Sequence, residues 1–168
     1  MRRRGLAALA VSAGLLVAAC GGNDAVERAD ARTVAALDAD ALPAELLGLQ
    51  VKREDIADLL DATKRPYLDR AGLYSLREGE TLQATLQIGH FAPGVDHTSP
   101  EFREKLLTTV GGGSIRELRL GKQQVYLTTG DRQQVAVWFD GPQMLVLSTR
   151  EEYPTPRALL RAALGLEL

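Results

Sequence analysis

The sequence predicts a single α+β domain, and three features carry that expectation. Residues 81–88 alternate strictly between polar and apolar side chains, at the start of a strand expected over 81–91. After Gly113 a series of short apolar runs is separated by glycine-containing turns, and three segments space their apolar residues at the helical period. Together these predict a mainly antiparallel sheet of about six strands with helices packed on it, in the order α-ββ-α-ββββ-α. The 168 residues suit one domain with appendages. Hydrophobic residues at 45% and charged residues at 25% match ordinary globular usage, which excludes wholesale disorder or a multi-span membrane protein.

The first helix is expected from Lys52 to Arg65-Pro66, with Ile56, Leu59 and Leu60 on one face and Glu54, Asp55, Asp58 and Asp61 opposite. Beyond Ala71-Gly72 the period becomes two. Leu73 to Arg77 forms a short strand and Glu78-Gly79-Glu80 a turn, and the next strand carries Leu82, Ala84, Leu86 and Ile88 on its buried face. Ser99, Pro100 and Glu101 are suited to the N-cap and first turn of a second helix, whose stripe is Phe102, Leu106, Leu107 and Val110. Four strands follow, at 115–120, 124–129, 134–139 and 144–148, punctuated by Gly121-Lys122, Gly130-Asp131 and Asp140-Gly141. Thr155-Pro156 opens a last helix bearing Leu159, Leu160, Ala163 and Leu164.

The N-terminus has a different character. Arg2, Arg3 and Arg4 precede the uncharged stretch Leu6–Ala19, too short to span a bilayer and of the length of an export signal. Its end, Val17-Ala18-Ala19-Cys20, resembles the lipobox of bacterial membrane lipoproteins, and Cys20 is the only cysteine of the chain. The resemblance implies cleavage after residue 19, diacylglycerol on the Cys20 thiol, and anchorage on the extracytoplasmic face of the cell membrane. Acyl chains in that number satisfy the two-signal condition for stable anchoring. The expected organisation is thus a signal peptide over 1–19, a lipid-anchored tether over 20–41 and a globular domain over 42–168. Loss of the signal removes three arginines and leaves 17 basic residues against 22 acidic ones, a balance of −5. With no basic stripe and few aromatics, nucleic acid is not an expected partner.

Candidate chemistry is sparse. His90 and His97, both histidines of the chain, flank Asp96 within one segment, and Glu101 stands nearby; this set has the residue types of a metal site but no established ligand spacing. Gly111-Gly112-Gly113 follows a helix, whereas a phosphate cradle precedes one. Tyr126 and Trp138 each oppose the aliphatic residues of their own strands and are candidates for a cross-strand pair lining a ligand cleft. The last 40 or so residues also resemble the endings of exported bacterial domains of unknown function, a likeness that implies fold and transfers no site residue.

The function expected from these features is a lipid-anchored, non-catalytic binding or accessory module of the cell envelope, with an envelope protein or an apolar ligand as partner. No cofactor is expected beyond the diacylglycerol at Cys20. Its sharper form is an apolar-ligand carrier with a hollow behind Leu82, Leu86, Val135 and Val137. The competing expectation is a metal-assisted envelope enzyme built on His90, Asp96 and His97.

Overall fold

The computed structural model describes residues 35–37, 42–56, 65–111, 114–130, 133–150 and 156–166. Within them the strands are β1 (Ala35–Ala36), β2 (Glu45–Leu46), β3 (Leu49–Arg53), β4 (Leu68–Glu78), β5 (Thr81–Phe91), β6 (Arg116–Leu120), β7 (Gln123–Gly130), β8 (Gln133–Asp140) and β9 (Gln143–Arg150). The helices are α1 (Pro100–Gly111), between β5 and β6, and α2 (Pro156–Leu164), after β9. All nine strands form one sheet in the order β2-β3-β4-β5-β9-β8-β7-β6, with β1 joining β4. β1 runs parallel to β4, and every other pairing is antiparallel.

Local chemistry explains the hairpins. Gly79-Glu80, Gly121-Lys122 and Gly141-Pro142 are two-residue loops between the pairs Glu78–Thr81, Leu120–Gln123 and Asp140–Gln143. Their glycines have φ of +56°, +62° and +51°. A left-handed first residue gives the turn a twist that matches paired strands, and glycine adopts it without steric cost. Asp140 therefore ends β8 and does not belong to the turn.

The sheet separates two cores. On one face Tyr74, Leu76, Leu86, Ile88, Trp138, Leu145 and Leu147 pack under Leu159, Leu160 and Ala163 of α2, with Leu37, Leu46 and Leu49 completing the layer. On the other, Val135, Val137, Phe139, Met144 and Val146 pack under Leu106 and Leu107 of α1. Residues 135–139 of β8 are consequently all buried, as expected of a strand covered on both sides. Among the described residues no helix is long and apolar enough to cross a membrane.

The expected fold class requires correction. Among the described residues strand accounts for 54% and helix for 18%, with nine strands and two helices where about six strands and three helices were expected, so the described part is more β-rich than the predicted α+β arrangement. Where the first helix was expected to begin, the chain is in β3 up to Arg53, paired to residues 74–77 of β4; residues 57–64 lie outside the described set. The turn before β3 is the reason. Its residues are Leu47 and Gly48, with φ of +53° and +77°, and leucine is a poor turn former that rarely adopts such a conformation. β4 also begins at Leu68 and runs through Gly72, whereas the strand was expected only from Leu73. A Cβ at Gly72 would lie 2.9 Å from the Tyr74 ring and 3.2 Å from Leu37, so the glycine is a packing necessity within a strand. Finally, Ala35–Leu37, expected in the tether, belong to the domain: β1 pairs with Arg70 and Ala71, and Leu37 is buried.

Candidate functional site

The segment between β5 and α1 holds Asp96 and His97. Asp96 Oδ1 accepts from the Thr98 hydroxyl (2.7 Å), the Thr98 N–H (3.2 Å) and the Ser99 N–H (3.2 Å). The Thr98 hydroxyl is the largest cause holding this carboxyl below its ordinary range; the two backbone donors and the nearby His97 act in the same direction. Ser99 Oγ then accepts from the Phe102 N–H (3.4 Å), the N-cap geometry, with Pro100 as the first helical residue. Asp96 is thus engaged in starting α1.

The imidazoles are not brought together. His97 stacks on Phe91, with centroids 5.5 Å apart and planes 12° from parallel, on the α1 side. His90 precedes Phe91 in the same strand and so points to the opposite face. Its pKa is lowered, first by burial and next by the charge of its cross-strand neighbour Arg70, with Asp69 opposing. Among the described residues no three His, Cys, Asp or Glu side chains are grouped so as to hold a metal ion.

Phe91 is the centre of an aromatic cluster. Tyr67, Phe102 and Phe139 lie 6.5, 5.7 and 6.3 Å from its ring, and Tyr126 meets Phe139 edge-on at 6.1 Å. The guanidinium of Arg103 lies 4.5 Å over Phe139 while its Nε donates to the His97 carbonyl (2.8 Å). Burial raises the pKa of Tyr67, with Arg65 acting against it. This cluster closes one end of the α1-side core. Trp138 is not part of it. Val125 pairs with Trp138 and Tyr126 with Val137, so Tyr126 lies on the α1 face and Trp138, 2% exposed, under α2. The two candidates for a common cleft are separated by the sheet.

The expected hollow is likewise not where it was sought, because Val135 and Val137 lie under α1 whereas Leu86 lies on the α2 face. An apolar hollow does occur on the α2 face. Leu42, Pro43, Leu46, Val51, Leu76, Leu86 and Leu166 line an apolar crevice too narrow to admit a water molecule. A second, open groove lies between the Gly121 turn and the end of α2, with Arg119 and Arg161 at its rim.

A polar group escaped sequence reasoning. Ser75, 1% exposed, donates to Glu54 Oε1 (2.5 Å) and accepts from Arg77 Nε (3.1 Å), while Arg77 Nη2 lies 3.5 Å from Glu54 Oε1. The signal was a serine between Tyr74 and Leu76 in an otherwise apolar run. Its hydroxyl, placed on the half of the α1 face that carries Gln83, Thr85 and Gln87, needs a polar partner when buried. The Glu54 and Arg77 side chains, about 30% exposed, supply one without complete loss of their own solvation.

Comparison of the chain with protein-family models, with curated proteins and with solved structures gives no match.

Proposed function

We propose that the chain is a lipoprotein held on the extracytoplasmic face of the cell membrane by diacylglycerol on Cys20, and that its domain is a non-catalytic binding or accessory module working next to that surface. One observation carries the reading. The sole cysteine of 168 residues stands directly after Val17-Ala18-Ala19, behind an arginine-rich start and an uncharged stretch of export-signal length. The thiol is the one side-chain nucleophile that forms the thioether of such an anchor, and tethering raises the domain's effective concentration for partners at the membrane. For the domain's role, the apolar hollow under the end of α2 supports an apolar group as the bound moiety: its walls are leucine, valine and proline side chains, with no polar group to satisfy. An alkyl group entering there would have to part Leu42 and Leu166 from the sheet, so binding requires the crevice to open.

Intact-mass analysis of protein extracted from its native membranes tests the anchor. The expected mass lacks residues 1–19 and carries diacylglycerol; a secreted, unacylated protein would refute it. Native mass spectrometry of the same material after delipidation and exposure to a medium-chain fatty acid tests the hollow. Retention of the fatty acid by the wild type and its loss in Leu86→Gln, with folding checked by circular dichroism, is the expected outcome. Equal retention by both would place the apolar site elsewhere.

A further inference from the structure

The far edge of the sheet makes a different prediction. β6 ends the strand order, and among the described residues it pairs with β7 alone, in an unbroken register from Arg116–Leu127 to Leu120–Gln123. Which of its backbone groups face outward follows from the turn. Leu120 and Gln123 flank a two-residue loop, and such a pair exchanges both of its hydrogen bonds. Alternation then turns the N–H and C=O of Leu118 and Arg116 toward β7 and those of Glu117 and Arg119 outward. An edge of this kind is a template for another strand, and natural edges are commonly blunted by proline, bulges or charges. β6 has neither proline nor bulge, and its charges alternate in sign.

We propose that β6 is the pairing edge of a symmetric homodimer, in which two copies of the chain join antiparallel with Leu118 on the two-fold axis. Hydrogen bonding requires outward-facing residues to oppose one another, so the centre must be one of a few positions. Centring on Glu117 opposes glutamate to glutamate, centring on Arg119 opposes two arginines, and centring on Arg116 does the same. Centring on Leu118 instead sets Glu117 against the partner's Arg119 twice over, and Leu118 against its own copy. The apolar residues agree. Leu118 is only half-buried and belongs to neither core, and the adjacent Ile115 is 37% exposed. Each has apolar surface for a partner to cover. Glu117 is also held in place, accepting from Gln124 Nε2 at 2.9 Å. Four main-chain hydrogen bonds, two ion pairs and a leucine contact make a small interface, in the weak and reversible class.

Single-cysteine variants of the full chain carrying Cys20→Ser provide the test. On the axis the two Cα atoms of residue 118 would be about 4.5 Å apart, within disulfide reach. Those of residue 117, or of residue 119, would be offset along the strands to about 8 Å. Under mild oxidation Leu118→Cys is expected to cross-link at least ten times faster than Glu117→Cys or Arg119→Cys. Equal rates, or no dimer from folded Leu118→Cys protein, would overturn the proposal. Sedimentation equilibrium of charge variants supplies an independent check. Glu117→Arg should weaken self-association at least tenfold and Glu117→Arg with Arg119→Glu should restore it; a double variant no better than the single, or a wild type monomeric at millimolar concentration, would refute the pairing.

Discussion

Replacing Gly89 by alanine is the sharpest probe of how tightly the α1-side core is built. Gly89 lies within β5, outside the left-handed region, so any penalty is one of packing and not of backbone conformation. A Cβ at this position would fall 2.8 Å from Cδ2 of Leu68 and 3.4 Å from its Cδ1. Leu68 is 0% exposed among Phe91, Ile56 and Met144, so its methyl has no solvent to swing into. Overpacking of this kind costs about 1–3 kcal/mol, while alanine in a strand recovers about 0.5–1 kcal/mol relative to glycine. The expected net loss is therefore about 1 kcal/mol, within a range of about 0–2.5 kcal/mol. Leu68→Ala alone should cost about 2–5 kcal/mol through the cavity it leaves. In the double variant the new methyl enters that cavity, so the combined loss should fall short of the sum by about 1 kcal/mol or more. Urea titration of all four proteins, with unchanged m-values, measures each quantity. Additivity within about 0.5 kcal/mol, or a Gly89→Ala more stable than the wild type, would refute the reasoning.

Three further outcomes are expected. His90 has a folded pKa below its ordinary 6.5, so the folded state binds fewer protons than the unfolded chain as pH drops past that value; its contribution to stability is full above about pH 6.5 and is lost below it. His90→Gln should flatten the fall in stability between pH 7 and 5, and an unchanged slope would contradict the placement beside Arg70. Ser99→Ala removes the α1 cap and should cost about 1 kcal/mol by denaturant titration, with Ser99→Asp retaining most of it. Trp138, the only tryptophan, should emit at short wavelength and resist quenching by iodide until the protein unfolds; ready quenching in the native state would remove it from the α2-side core.

The parts of this fold that were legible in sequence are those in which local signals agreed. Residues 81–88 alternate and lie in β5; Ser99-Pro100-Glu101 combine cap, fixed φ and first-turn acid, and α1 begins there. β3 was hidden because its five residues are too few for a clear period and its turn rests on a left-handed leucine. β1 is two residues of alanine, whose placement depends on β4 far along the chain. The faces of Tyr126 and Trp138 were decipherable. A hairpin closing between Thr129 and Gln134 already opposes Tyr126 to Val137, and strand parity then sends Trp138 to the other side. The Ser75–Glu54–Arg77 group was not, since it needs β3 beside β4.

The topology would keep the proposed anchor and the proposed dimer edge from competing. Among the described residues the first strand is β1, which lies on the β3 side of β4, and the exposed edge at β6 is six strand positions away. At about 4.8 Å per strand the two features are separated by about 29 Å. An antiparallel pair of edges in one continuous sheet has its two-fold axis perpendicular to that sheet, so both copies present α2 on the same side. Leu37, the residue that follows β1, packs into the α2-side core. In the dimer the two chains would therefore join their domains at opposite outer edges and against the same face, an arrangement that lets both reach one membrane. The two properties should also separate by mutation: Cys20→Ser should abolish acylation and leave Leu118→Cys cross-linking intact, and Glu117→Arg should weaken pairing while leaving the acylated mass unaltered. Loss of both together in either variant would refute the independence of the two proposed features.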